Sequence, residues 1–172
     1  MFYRLLCGRV IGVLNDYDLS SIQDDCARGN ERTGTVPFMS INLLTLSAMD
    51  GAVEHMYWHD AESLIWVFAW VCLRYKNGRL RRKRVLPFDQ WLKVDALTCA
   101  WLKSHFLLAE RCDPTIIIKP SPSHEENWSL AQALLGVLCK FYAHMGHGDD
   151  ASNMENVFHT WLRGPFELMT TS

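Results

Sequence analysis

Ala61-Glu62-Ser63-Leu64-Ile65-Trp66-Val67-Phe68-Ala69-Trp70-Val71-Cys72-Leu73-Arg74-Tyr75 is apolar on every face once its first turn is passed, the pattern of a helix surrounded by protein rather than lying on a surface. Residues 60–75 are therefore expected to form the central buried helix of a helical domain. Asp60 stands immediately before the run, where an acidic side chain accepts from the free backbone N–H groups of a helix start. The most apolar part, Leu64 to Leu73, is about ten residues long, whereas a bilayer-spanning helix needs about 20. It reads as a core helix, and no membrane is expected.

Upstream of this helix, His55 and His59 are four apart with Glu54 and Asp60 beside them, a spacing that sets two imidazoles on one helix face as in many zinc sites. Without a third ligand, coincidence is the stronger reading. Downstream, Asn77-Gly78 is expected to end the helix, and Arg79-Leu80-Arg81-Arg82-Lys83-Arg84 follows as a basic loop closed by Pro87. Such a run is a solvated loop, a nuclear address or a phosphate-binding patch. No aromatic residue interleaves with it as in single-strand binders.

Helical spacing resumes near Asp89 with Trp91, Val94, Leu97, Trp101, Leu102 and Phe106 on the expected core face, as one helix or two. Asp113-Pro114 and Pro120 to Ser123 bracket a connector. Trp128, Ala131, Leu134, Leu135, Leu138, Phe141, Tyr142 and Met145 then mark a helix that stops at Gly146. Ser152 and Glu155 have capping-box spacing for a last helix ended by Gly164-Pro165. At the other end, Phe2 to Leu6 and Val10 to Leu14 flank Cys7-Gly8-Arg9 and read as a β-hairpin, the one strand signal in the chain. Asn15 to Thr35 is polar and without sustained period, so it is expected to be a long surface loop.

The composition agrees with one folded core. Of 172 residues, 49% are apolar and seven are Trp, far from the make-up of a disordered chain. Seventeen Lys and Arg against 19 Asp and Glu leave a formal charge of -2, so no field over the whole chain draws it to nucleic acid, and none is expected as a partner. Six cysteines without a Cys-x-x-Cys pair read as reduced thiols in an intracellular protein, cytoplasmic or nuclear.

Chemistry is concentrated between the hairpin and the buried helix. Asn15-Asp16-Tyr17-Asp18 follows the second strand, and a carboxylate at a strand exit either shapes a turn or holds a divalent cation against phosphates. Some twenty residues on comes Arg32-Thr33-Gly34-Thr35-Val36-Pro37-Phe38-Met39-Ser40-Ile41-Asn42. Here Gly34-Thr35-x-x-Phe38-Met39-Ser40 resembles the end of a protein-kinase activation segment. Taken with Val13 to Leu19 and with His59-Asp60-Ala61-Glu62-Ser63, the chain resembles the fungal-type protein kinases more than any other branch.

That resemblance implies the C-terminal half of a kinase domain over residues 1–172: a mainly α, C-lobe-like helical domain with a short N-terminal β-hairpin and an activation-segment-like loop at 15–42. It implies ATP-dependent phosphorylation of protein Ser or Thr as the parent activity, with magnesium and ATP as the parent cofactors. Asp16 would bind the magnesium, Thr33, Gly34 and Thr35 belong to the activation segment, Thr35 is the candidate for positioning substrate, and Asp60 and Glu62 are structural supports. Asn42 stands where the family has a glutamate paired to an arginine, so that anchor is expected to be weakened or rebuilt.

The family's glycine-rich loop, strand lysine, catalytic aspartate and loop asparagine have no counterpart in these residues, so the chain alone is expected to be inactive and to bind neither cofactor tightly. Apolar surface facing the absent lobe would be exposed and open to a protein partner. A non-catalytic helical interaction module is the alternative.

Overall fold

The computed structural model describes residues 2–6, 9–13, 34–82, 84–112 and 118–145. Expectations for 14–33, Asp16, Asp18 and Thr33 among them, and for the helix after Ser152, lie outside the described residues. The chain divides into two compact units, Met1–Thr33 and Gly34–Ser172.

In the first unit, β1 (Phe2–Leu6) pairs antiparallel with β2 (Arg9–Val13), with Leu6 opposite Arg9 and Phe2 opposite Val13. The second strand starts one residue earlier than its apolar run, because the register leaves only two residues for the connection.

The second unit is built on helices. A short α1 (Leu46–Met49) precedes α2 (Tyr57–Arg74), then a two-stranded ribbon of β3 (Tyr75–Lys76) and β4 (Arg79–Leu80), then α3 (Ala96–Cys112) and α4 (Glu125–His144). Single 3-10 turns at Asn42–Leu44, Asp89–Leu92 and Pro122–His124 join them. The architecture is mainly α with an N-terminal hairpin, as expected. No helix among the described residues is long and apolar enough to cross a membrane.

Helix α2 is the centre of the core. Trp66, Ala69, Cys72 and Leu73 are wholly buried, and α2 packs on α4 through partners that include Ala131, Leu138 and Phe141. Each fully buried aliphatic or aromatic side chain of this kind contributes about 1.5–3 kcal/mol. The helix differs from its reading in two ways. It starts at Tyr57, because His59 Nδ1 accepts from the Met56 N–H at 2.8 Å and the Met56 carbonyl accepts from the His59 N–H at 2.9 Å, closing the first turn. Asp60 therefore lies inside that turn and not ahead of it. Nor is the helix buried all round: Tyr57, Leu64 and Val67 expose 49%, 63% and 38% of their surface along one stripe.

Asn77-Gly78 also acts differently. Both residues have positive φ, 48° and 73°, which suits the two-residue turn of a tight hairpin. Lys76 faces Arg79 and Tyr75 faces Leu80 across it. Helix α2 ends before the turn because Tyr75 is already extended.

The stretch after Asp89 resolves into a 3-10 turn followed by one helix, whose first turn Asp95 caps by accepting from the Thr98 N–H at 2.9 Å and the Thr98 hydroxyl at 2.7 Å. Its buried face carries Cys99, Ala100 and Lys103, and Trp101, expected in the core, is 64% exposed.

Arg74 ties the end of α2 to the following loop. Its guanidinium lies 4.0 Å from the Trp70 ring centroid and donates to the Pro87 carbonyl and to Asp89 Oδ1 at 2.7 Å. The second Asp89 oxygen accepts from the Leu86 N–H at 2.8 Å. The Leu86 N–H first, and Arg74 second, hold the Asp89 carboxyl below its ordinary range. Asp89→Ala should therefore lower stability by about 2 kcal/mol in a denaturant titration. Because the folded-state pKa is depressed, the advantage of the wild type is present above the ordinary carboxyl pKa and fades as acid takes the pH through the folded value.

Candidate functional site

The described part of the candidate site is the segment Gly34–Asn42 and the side chains that fix it. Its first half is a turn. The Thr35 carbonyl accepts from the Phe38 N–H at 2.7 Å and the Met39 N–H at 3.3 Å, which folds the chain back and leaves Gly34 and Thr35 exposed. A Cβ at Gly34 would come within 3.1 Å of Met39 Cγ and 3.2 Å of its sulfur, so glycine lets the Met39 side chain close over the turn. Phe38 then meets Trp70 edge to face at 5.1 Å, setting an aromatic anchor on α2.

The second half enters the core, where a buried hub receives its backbone. Glu62, on α2 and wholly buried, accepts from the Ile41 N–H at 2.9 Å and from the Trp66 indole N–H at 2.8 Å through one oxygen. The other oxygen accepts from the Tyr142 hydroxyl of α4 at 2.5 Å. The Tyr142 oxygen in turn accepts from the Asn42 N–H at 3.3 Å. From α3, Lys103 Nζ donates to the Met39 carbonyl while lying 4.9 Å and 5.5 Å from the ring centroids of Trp66 and Trp91. Three helices thus hold three residues of the segment, Met39, Ile41 and Asn42, by their main chain and through charged or polar side chains.

The electrostatics follow from burial. Desolvation raises the Glu62 carboxyl above its ordinary range, opposed by its donors Tyr142, Trp66 and Ile41 and by the through-space charge of Lys103. Burial also brings Lys103 down to about 8, against the pull of Glu62. The Tyr142 hydroxyl is raised well above its ordinary value, by burial first and by the adjacent carboxylate second. Hydrogen bonds to a charged acceptor in a low-dielectric interior are strong, and each is costly to break on one side only. A hub closed to solvent cannot act on a substrate. What it can do is hold Thr35 and its neighbours in one position at the surface.

Asn42 gives its N–H to Tyr142 and accepts from the Thr45 hydroxyl at 2.8 Å through its carbonyl, and Glu62, Tyr142 and Lys103 hold the segment to the helices. Glu62 was singled out in the sequence; Lys103 and Tyr142 were not. For Lys103 a signal existed, since it stands four residues after Cys99 and three before Phe106, on the face of α3 that turns inward. The hydroxyl of Tyr142 had none, because it sits in a run of apolar residues at core spacing.

Asp60 points to solvent and pairs with His55 Nε2 at 3.1 Å, both side chains more than half exposed. The His55 and His59 rings lie 5.6 Å apart, but His59 Nδ1 is taken by the helix start. Among the described residues no group of three or more His, Cys, Asp or Glu could hold a metal ion.

Residues 8–72 match the family model described as fungal protein kinase. The matched stretch contains the Asp16 region, the Gly34–Asn42 segment and α2 as far as Cys72, so the resemblance is shown over that part of the chain. No curated protein and no solved structure matches.

Proposed function

We propose that this chain, whose residues 8–72 match the fungal protein kinases, is the substrate-facing half of a Ser/Thr protein kinase and that these 172 residues do not transfer phosphate by themselves. The observation that carries the reading is the coincidence of the family match with a built device: the segment ending at Asn42 is fixed by Glu62, Lys103 and Tyr142 while Thr35 stays at the surface. A kinase needs such a segment rigid, because positioning supplies much of the catalysis in phosphoryl transfer. In this assignment Thr35 orients the substrate, Asp60, exposed here, would brace the family's catalytic loop, and Asp16 is the magnesium ligand. Bound magnesium would neutralise phosphate charge on ATP.

Titration of the chain and of Asp16→Ala with ATP and magnesium in a calorimeter tests the reading. The expected result is binding of about millimolar strength or weaker, unchanged by the substitution, with no phosphotransfer to a protein substrate. Tight binding that depends on Asp16 would overturn the inactivity of the isolated chain.

A second reading, a helical interaction module, is favoured by the exposed stripe of Tyr57, Leu64 and Val67 on α2. Stable folding with no response to an added kinase N-lobe, but capture of another protein through that stripe, would support it over the first.

A further inference from the structure

The basic run that follows α2 is one wall of a cleft. The β3–β4 ribbon and the loop after it face the connector that leads into α4, and between them lies a space of about 830 Å³ lined by Arg81, Val85, Pro87, Lys119, Pro120 and Glu125 among others. A second space of about 400 Å³, lined by Lys76, Arg79, Arg82 and Leu80, continues from it and shares Arg81 and Pro122. The walls are fixed to the end of α2. The Arg81 N–H donates to the Arg74 carbonyl at 2.8 Å, its guanidinium to the Leu73 carbonyl at 2.9 Å, and the Ser121 N–H to the Cys72 carbonyl at 2.8 Å. The Asn77 N–H reaches Ser123 Oγ at 3.2 Å, so the ribbon and the connector are joined directly.

Five cations, Lys76, Arg79, Arg81, Arg82 and Lys119, line the two spaces. Among the described residues none of them is in an ion pair, whereas Arg74 is paired with Asp89. In a chain with a formal charge of -2, these cations, set against the single carboxylate of Glu125 in the lining, make a local excess of positive charge. The floor between the cations is apolar: Val85, 72% exposed, and three prolines.

We propose that this cleft binds an extended acidic peptide segment that also carries aliphatic side chains. The cations would meet its carboxylates, and Val85 with the prolines would take its apolar side chains. Nucleic acid is the competing class of ligand; the apolar floor of Val85 and the prolines suits aliphatic side chains and gives a phosphate backbone nothing, which favours the peptide. This inference is independent of the kinase reading, since it uses no residue of the Gly34–Asn42 segment or its hub.

Fluorescence anisotropy with the full chain tests it. The probes are a labelled peptide alternating Glu and Leu, its isostere with Gln for Glu, and an oligothymidylate of the same net charge as the first. The Glu/Leu peptide is expected to bind, to weaken as salt rises, and to bind at least about tenfold more weakly to Arg79→Glu/Arg82→Glu. Both arginines are exposed, and Arg79 pairs with Lys76 in the ribbon through its main chain, which the substitution keeps, so the variant should keep the near-ultraviolet circular dichroism of the Trp-rich core. Val85→Ser should weaken the Glu/Leu peptide and leave oligothymidylate unaffected. Equal binding of the Gln isostere, tighter binding of oligothymidylate, or indifference to the charge reversal would each overturn the proposal.

Discussion

Glu62→Ala is expected to destabilise the helical unit by about 3–5 kcal/mol, read as a lower urea midpoint with an unchanged slope. The loss is large because the substitution removes one side of four interactions at once. The Tyr142 hydroxyl, the Trp66 indole N–H and the Ile41 N–H lose their acceptor, and buried Lys103 loses the charge that offsets its own burial. A buried donor left without a partner costs about 1–3 kcal/mol, so the sum does not depend on any single bond. Glu62→Gln keeps the shape and one carbonyl oxygen, and should cost less, about 1–2 kcal/mol. In hydrogen exchange the Ile41 and Asn42 amides should lose protection in Glu62→Ala before the core of α2 does. A loss under about 1 kcal/mol, with those amides still protected, would mean that Phe38 on Trp70 holds the segment and the hub does not.

That hub shows where sequence reading reached its limit. The existence of α2, α3 and α4 is written in apolar spacing within each segment, and burial follows it closely in α4, where Trp128, Ala131, Leu134, Leu135, Leu138 and Phe141 are all buried. In α3 the rule fails in an instructive way. Trp101 has the larger apolar surface, yet it is exposed, and Lys103 takes the inward position. Hydrophobicity ranks side chains one at a time, whereas the site for Lys103 is made jointly by a carbonyl from Met39 and by two indole faces. None of these lies on α3 itself.

The same reasoning covers the helix start and the ribbon. Asp60 is the better capping residue by type, but His59 is the one whose ring nitrogen meets the Met56 N–H, and a histidine in that role gives no compositional signal. Asn77-Gly78 is as good a hairpin turn as it is a helix stop. With strands only two residues long on either side, no period-two pattern exists to decide between them. The Gly34 to Asn42 motif was legible because it is contiguous, while its anchors, 64 positions from Met39 to Lys103 and 80 from Glu62 to Tyr142, meet only through the fold.

Lys103 provides the second large effect, and it is a dependence on pH. Its folded-state pKa is about 8, against 10.5 for the free side chain. Below pH 8 both folded and unfolded chains hold the proton, and Lys103 adds no slope. Between about 8 and 10.5 the unfolded chain binds more protons than the folded one, so the unfolding free energy rises with pH. Other groups act the opposite way: burial raises Cys72, Cys99 and Tyr142, so the unfolded chain releases their protons first and stability falls above their ordinary pKa values.

Comparison with Lys103→Met cancels Cys72, which remains in both proteins; Cys99, whose thiol the Lys103 charge lowers, moves further up in the variant and steepens the same rise, so the comparison is made with Cys99→Ser in both backgrounds. The stability of the wild type relative to the variant should be flat below pH 8 and then increase by up to about 3 kcal/mol toward pH 10.5, at about 1.36 kcal/mol per pKa unit. A difference that stays flat throughout would mean that Lys103 keeps its proton in the core as firmly as in water. Glu62, the Met39 carbonyl and the faces of Trp66 and Trp91 would then offset the whole cost of burying it, and Glu62→Ala should in that case be at the upper end of its expected range.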